Sequence, residues 1–126
     1  MPESKHVLVV DDEPQVVFAF RLFFESRGLR VSTASDGDEA LHQLAVTSFD
    51  AVVTDLHMPN CGGTELIAEM RRHTGEPPVI VITSDDDAER LLTRFDNIQI
   101  LHKPVHADKI LKALSLALRC PPATPQ

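Results

Sequence analysis

The sequence predicts an α/β fold in which five parallel strands form a doubly wound sheet with helices on both faces. Short β-branched runs at 7–10, 51–54 and 79–83 are typical of strands buried on both faces of a parallel sheet. Segments with helical periodicity alternate with these runs, and turn residues separate the two. The length of 126 residues suits one such domain and is too short for two.

Each predicted element has a local signal. The strands are expected, in chain order, at 6–10, at 30–34, in a run that ends at Thr54, at 79–83 and at 98–101. Pro14 suits the first turn of a helix, and Gly28 is a natural end for it. The D-x-x-E pattern of Asp36 and Glu39 is typical of a helix start. Thr64 opens the third helix after a loop rich in proline and glycine.

The last two helices differ in length. Three aspartates at 85–87 favour the N-terminal end of a fourth helix. This helix is expected to be brief, because little chain separates Thr83 from Lys103. Apolar residues at i, i+3, i+4 and i+7 spacing between 107 and 118 predict a longer final helix.

Composition and charge exclude several classes of function. The net charge of −7 argues against nucleic-acid binding, which needs clustered lysine and arginine. No run approaches the roughly 18 apolar residues of a membrane span, so no membrane partner is expected. The N-terminal residues lack the apolar core of a secretory signal. We therefore expect a cytoplasmic protein.

The cysteines and the tail mark no further domain. Cys61 and Cys120 form no disulfide framework of the kind found in secreted proteins. The chain after Cys120 is rich in proline and cannot pack a core. We expect one domain at 1–119 and a disordered tail, or the start of a linker, at 120–126.

Polar residues follow four of the predicted strands at the point where each strand ends. They are Asp11 and Asp12 after the first strand, Asp55 after the third, Thr83 at the end of the fourth and Lys103 after the fifth. The carboxyl ends of parallel strands meet at one edge of the sheet, where such folds bind their ligands. We expect all five side chains at this edge.

The chemistry of this set is that of phosphoryl transfer. Neighbouring carboxylates repel one another, and a hard divalent cation would hold them ionised. A carboxylate can attack a phosphoryl group and form an acyl phosphate. The transferred group then needs positive charge on its oxygens, which a metal ion and a lysine supply.

The sequence resembles the receiver domains of two-component response regulators, of the chemotaxis-regulator type. The matching stretches are Val-Leu-Val-Val-Asp-Asp-Glu-Pro, Asp-Gly-Asp-Glu-Ala-Leu, Asp-Ala-Val-Val-Thr-Asp-Leu-His-Met-Pro, Ile-Val-Ile-Thr-Ser and His-Lys-Pro. They cover about 6–119. The resemblance implies a flavodoxin-like sheet in the order 2-1-3-4-5 with five helices.

The resemblance also implies the roles of the acidic residues. Asp55 would be the phosphoacceptor. Asp11 and Asp12 would hold Mg²⁺, or Mn²⁺ in its place, together with Asp55 and the backbone carbonyl of His57.

The remaining site residues follow from the same resemblance. Thr83 would bind the phosphoryl group through its hydroxyl, Lys103 would pair with that group, and Pro104 would follow a cis peptide bond. Receivers commonly carry an aromatic residue three positions before the lysine, which couples to the threonine. This chain has Ile100 there, so we expect the signal to leave the site differently.

The resemblance implies a signalling function. The domain would take a phosphoryl group from the phosphohistidine of a sensor histidine kinase or a histidine phosphotransferase, and then change conformation. It would act on a downstream effector or a C-terminal output domain, and would form a homodimer on phosphorylation. It would catalyse only its own phosphorylation and dephosphorylation, and so would not be a turnover enzyme.

Three other classes of function share parts of this pattern. A hydrolase of the haloacid dehalogenase type would need a second aspartate where His57 stands. A flavodoxin-like cofactor binder would need a phosphate loop where Asp-Asp-Glu-Pro follows the first strand. The remaining alternative is a receiver-like domain that docks on a protein without phosphorylation. His57 and Asp85 occupy the two positions that line the path of the hydrolytic water in receivers, so we expect the Asp85 carboxylate to affect phosphoryl lifetime.

Overall fold

A computed structural model describes residues 5–73 and 77–119. The strands are β1 His6–Val10, β2 Arg30–Ala34, β3 Ala51–Asp55, β4 Val79–Thr83 and β5 Ile98–His102, and the helices are α1 Pro14–Glu25, α2 Gly37–Val46, α3 Gly63–His73, α4 Ala88–Leu91 and α5 Ala107–Arg119. The predicted tail at 120–126, with Cys120, lies outside the described residues. None of the helices in the described part of the chain has the length and apolar character needed to cross a bilayer.

The five strands form one parallel sheet in the order β2-β1-β3-β4-β5. The predicted fold class, strand order and number of helices are thereby confirmed. Val10 at the end of β1 lies between Ala34 of β2 and Thr54 of β3. Towards the opposite outer strand of the sheet, Thr83 of β4 lies beside His102 of β5. The register therefore brings the carboxyl ends of all five strands to one edge.

Both faces of the sheet are covered by apolar side chains, because successive residues of a strand point to opposite faces. Leu8 and Val10 of β1 belong to the core on the side of α2, α3 and α4. Val7 and Val9 belong to the core on the side of α1 and α5. All four are at most 1% exposed, and burial on both sides explains why the strands are continuous apolar runs rather than alternating ones.

Two strands extend one residue further than their apolar runs predict. Asp55 continues β3 and pairs with Ile82, and His102 continues β5 and pairs with Thr83. Polar residues at a strand end carry no apolar signal, although the backbone ladder includes them. The fourth helix is confirmed as brief, since α4 comprises only the four residues of Ala88–Leu91.

The start of α2 is tied to the loop that follows β3. The Asp36 side chain caps the helix by accepting from the Glu39 amide at 2.9 Å. Gly37 lies so close to Cys61 that an added Cβ would come within 2.5 Å of its carbonyl oxygen and its sulfur. Only glycine permits this approach, and the Gly37 amide donates to the Cys61 carbonyl at 2.9 Å.

Candidate functional site

The Asp55 carboxylate is held from two sides at the end of β3. Its Oδ2 accepts a hydrogen bond of 3.0 Å from Nζ of Lys103. Its Oδ1 accepts from the backbone amides of Leu56 at 2.6 Å and His57 at 3.4 Å. The side chain of Asp55 is 15% exposed. A carboxylate with fixed orientation, partial access and a neighbouring ammonium suits attack on a phosphoryl group.

Asp11 brings a second, buried carboxylate to the same edge. It is 7% exposed, and its Oδ1 accepts from the Glu13 amide at 3.0 Å. Burial raises the pKa of Asp11, and the charges of Asp55 and Asp12 raise it further. The Glu13 amide and Lys103 oppose the rise without cancelling it. The carboxylates are therefore close enough to repel one another, as the sequence predicts.

Lys103 supplies the positive charge of the site. Burial alone would lower the pKa of Lys103. The hydrogen bond to Asp55 and the charges of Asp55, Asp11 and Glu13 outweigh burial, so its pKa lies above the ordinary value. The ammonium stays protonated throughout the physiological range and can neutralise charge on a transferred group.

Thr83 ends β4 beside this group. It is 1% exposed, and its Oγ1 accepts from the Asp85 amide at 3.1 Å. The Lys103 amide donates to the Thr83 carbonyl at 2.8 Å, which fixes the two residues relative to each other. The Lys103–Pro104 peptide bond is cis, as the resemblance implies. The Thr83 hydroxyl is an acceptor in its bond to Asp85, and its own hydrogen remains available for a phosphoryl oxygen.

The donor set fits a hard divalent cation. Asp11, Asp12 and Asp55 offer carboxylate oxygens, and a cation would relieve the repulsion that raises the pKa of Asp11. No three His, Cys, Asp or Glu side chains within 5–73 and 77–119 converge as a group that could hold a metal ion by themselves. Mg²⁺ commonly needs only one or two carboxylates, because it keeps several waters. A metal site formed by these carboxylates and the His57 carbonyl stays a prediction.

A bridge between two loops stands at the edge of the site. Nε2 of His57 and Oδ2 of Asp85 are 2.6 Å apart, and they join the loop after β3 to the loop after β4. The hydrogen bond from His57, assisted by the amide of Asp87, lowers the pKa of Asp85. Asp85 is therefore an anion that is hydrogen-bonded to the His57 imidazole at the edge of the site.

The sequence did not indicate the contacts that fix the loop after β3. Nδ2 of Asn60 donates to Oδ2 of Asp36 at 2.8 Å, and Asn60 itself has a φ of 67°. This contact adds to the close approach of Gly37 to Cys61 described above. Asp36-Gly37 indicated a helix cap, and the later Pro-Asn-Cys-Gly-Gly stretch indicated a turn. Neither signal indicated that these two segments are in contact.

β5, which ends one residue before Lys103, contains no Phe, Tyr or Trp. Ile100 is partly buried and packs against the core on the α2, α3 and α4 side. Two positions further along, Nε2 of His102 lies 2.7 Å from Oε2 of Glu89 in α4. Sequence reasoning missed this pair, because nothing in the sequence indicates a contact between residues separated by 13 positions.

Comparison with known proteins agrees with this geometry. The family model of the response regulator receiver domain matches residues 7–115. The transcriptional regulatory protein KdpE of Mycobacterium tuberculosis is 35% identical over 115 residues, which are 90% of this chain and 50% of KdpE. A response regulator receiver protein of Anaeromyxobacter is 36% identical over 109 residues, or 85% of this chain and 46% of that protein. The chain thus spans about half the length of these curated relatives.

Solved structures show the same fold. The response regulator TrrA of Thermotoga maritima, in complex with Mg²⁺ and BeF, has a TM-score of 0.81 at 26% identity and covers 90% of this chain and 99% of its own. A receiver domain of Clostridium thermocellum has a TM-score of 0.82 at 30% identity and covers 90% of this chain and 94% of its own. With its sheet order, its edge of Asp55, Asp11, Thr83 and Lys103, and these matches, the chain belongs to the family of response regulator receiver domains.

Proposed function

We propose that this receiver domain takes a phosphoryl group onto Asp55 in the presence of Mg²⁺ and changes conformation in response. The observation that carries the proposal is the contact of 3.0 Å between Lys103 Nζ and Asp55 Oδ2 beside the buried carboxylate of Asp11. A structural ion pair would need no second buried carboxylate, whose burial is unfavourable. Phosphoryl transfer needs both the Lys103 ammonium and the second carboxylate.

The donor is the phosphohistidine of a sensor histidine kinase or of a histidine phosphotransferase. An oxygen of the Asp55 carboxylate attacks the phosphorus, and an O–P bond forms as the N–P bond breaks. The electron pair of the N–P bond returns to the imidazole of the donor, which takes up a proton from water. The product is an acyl phosphate on Asp55.

The residues around Asp55 have separate roles in this step. The backbone amide of Leu56 orients the carboxylate through Oδ1, while Lys103 shifts from Asp55 Oδ2 towards the arriving phosphoryl oxygens. The Thr83 hydroxyl donates to another of these oxygens. Asp11, Asp12, Asp55 and the His57 carbonyl would hold Mg²⁺, which would supply positive charge to offset the repulsion between the carboxylates and the phosphoryl group.

The family supports the wider setting of the proposal. KdpE is a transcriptional regulatory protein, and the sensor protein EvgS of Escherichia coli matches this chain over 10% of its length. We infer that this domain acts on an output domain or a separate effector in the cytoplasm, and that phosphorylation promotes a homodimer. Because its net charge is −7, we expect any contact with nucleic acid to be made by such a partner and not by this domain. It turns over no substrate besides its own acyl phosphate.

Phosphorylation by a small-molecule donor tests the proposal without knowledge of the kinase. Incubation with acetyl phosphate and Mg²⁺ should add about 80 Da, one phosphoryl group, to the intact protein. Asp55→Asn should stay unmodified, as should the wild type in EDTA, whereas the neighbouring-loop control Asp86→Asn should behave like the wild type. An unmodified wild type would contradict the proposal and favour a receiver that only docks on its partner.

A further inference from the structure

We propose that His102 and Glu89 are positioning residues that hold the loop after β4, and with it Thr83, in the unphosphorylated arrangement. The proposal rests on the proposed function and deepens it. It assigns the coupling between the acceptor site and α4 to a pair of side chains, in a chain whose β5 has no aromatic residue for that task.

Besides the Glu89–His102 bond, few contacts fix the segment 84–92 against the rest of the domain. Its helix, α4, is a single turn of four residues, and so short a helix is not stable through its own hydrogen bonds. Ala88 and Leu92 anchor it through burial, at 0% and 3% exposure. The near end is held by the His57–Asp85 bridge. Towards its C-terminal end, the segment is fixed to β5 by the hydrogen bond of 2.7 Å between Glu89 and His102.

The hydrogen bonds close a ring that contains the site hydroxyl. Thr83 Oγ1 accepts from the Asp85 amide at 3.1 Å, the chain then runs to Glu89, and Glu89 reaches His102 across the surface. His102 is the register partner of Thr83 in the neighbouring strand. The Lys103 amide, one residue on, donates to the Thr83 carbonyl at 2.8 Å. A displacement of the Thr83 hydroxyl therefore changes the geometry of the Glu89–His102 hydrogen bond. Conversely, a change in that bond shifts the hydroxyl.

Charge fixes the direction of the effect. The segment carries four carboxylates, at Asp85, Asp86, Asp87 and Glu89. A phosphoryl group on Asp55 adds about −1.5 to −2 charges nearby, which repel these carboxylates outward. The Glu89–His102 bond resists that movement, because it holds the segment against β5. Loss of the bond should therefore favour the phosphorylated arrangement.

Amide exchange and binding of a phosphoryl analogue together test the pair. In the ligand-free protein, His102→Ala and Glu89→Ala should speed amide hydrogen exchange in 84–95. With Mg²⁺ and excess fluoride, both variants should lower the half-saturating beryllium concentration, followed in ¹⁵N–¹H spectra, by about threefold, the factor expected of one exposed side-chain hydrogen bond. The double variant should gain no more than either single one, because both remove the same contact.

Two matched variants separate the bond from general charge effects. Arg90→Ala removes an ion pair with Asp87 that lies within the α4 segment and does not reach β5. His106→Ala removes an exposed imidazole that makes no side-chain hydrogen bond in the described part of the chain. Neither should speed exchange or raise affinity. His102→Ala leaves the Glu89 carboxylate in place, so an effect of that charge alone would not raise affinity in this variant.

The outcomes are distinct. Faster exchange and tighter binding in both His102→Ala and Glu89→Ala, with unchanged controls, would establish the pair. Wild-type affinity in both variants, or lower affinity in His102→Ala, would overturn this inference and leave the proposed function intact. A wild type that neither binds beryllofluoride nor takes a phosphoryl group would overturn the proposed function itself.

Discussion

The ammonium of Lys103 donates a hydrogen bond of 3.0 Å to Oδ2 of Asp55, although 48 residues separate the two in the chain. The contact exists because β3 and β5 end at the same edge of a parallel sheet, on either side of β4. It places a permanent positive charge against the carboxylate that we propose as the phosphoacceptor. Much of the behaviour expected of this domain follows from this pair.

Removal of the Lys103 ammonium should slow phosphorylation strongly. Lys103→Ala should take up the phosphoryl group from acetyl phosphate about 10²-fold more slowly than the wild type, because positive charge on the transferred oxygens is lost. The rate is measured as growth of the modified intact mass. Lys109→Ala, which removes an exposed lysine of α5, is the matched control. Equal rates in Lys103→Ala and the control would show that Lys103 only anchors Asp55.

Replacement of Asp11 should stabilise the metal-free protein. The pKa of Asp11 is raised in the folded state, so the folded protein binds that proton more tightly than the unfolded chain does. Stability is then lost as the pH rises from the ordinary carboxyl pKa of about 4 through the raised pKa of the folded state. Asp11→Asn should therefore unfold at higher urea concentration than the wild type in EDTA at neutral pH, with a smaller difference near pH 4.

Mg²⁺ gives the companion result for the same variant. The ion should raise the unfolding midpoint of the wild type, since a ligand that binds only the folded state stabilises it, and should have little effect on Asp11→Asn. A midpoint that Mg²⁺ raises equally in both proteins would place the metal away from Asp11.

Loss of the bridge to His57 should shorten the life of the acyl phosphate. Asp85→Ala removes the 2.6 Å contact that spans the two loops beside Asp55, and the opened edge admits the hydrolytic water. After acetyl phosphate is removed by rapid desalting, the modified mass should decay at least about threefold faster than in the wild type or in Asp86→Ala, given the modest strength of an exposed ion pair. Decay rates that agree within about twofold would dismiss a role for Asp85.

Gly37→Ala should destabilise the domain from outside the acceptor site. A Cβ there would come within 2.5 Å of the Cys61 carbonyl oxygen and sulfur. Overpacking of this kind costs about 1–3 kcal/mol, which urea denaturation resolves, and Asp38→Ala on the next residue should leave stability near that of the wild type. Because the carbonyl is backbone, Cys61→Ala should not restore the loss. Wild-type stability in Gly37→Ala would show that the loop moves aside.

Most of the fold was predictable, since its signals are local. Apolar runs such as Val79–Thr83 correspond to the strands, and Gly28, which has a φ of 86°, follows the end of α1. The strand ends were less well predicted, because Asp55 and His102 join the sheet through backbone bonds that leave no apolar pattern. The brevity of α4 followed from the short span of chain before Lys103.

The positions of the site residues were predictable, but their partners were not. The topology brings Asp11, Asp55 and Lys103 to one edge in any sheet of this order. The pairs His57–Asp85 and Glu89–His102 depend on loop paths and on register, and a sequence without structure specifies neither. Ile100 in place of an aromatic residue is visible in the sequence, whereas the Glu89–His102 contact is visible only in the structure.

The most direct test of the account is to locate the phosphoryl group on the chain. After phosphorylation with acetyl phosphate and Mg²⁺, borohydride should reduce the acyl phosphate and convert the acceptor aspartate to homoserine, which tandem mass spectrometry of the peptides locates. The account predicts homoserine at position 55 alone. Homoserine at position 11 or 12, or at no position while the wild type carries the added mass, would contradict it.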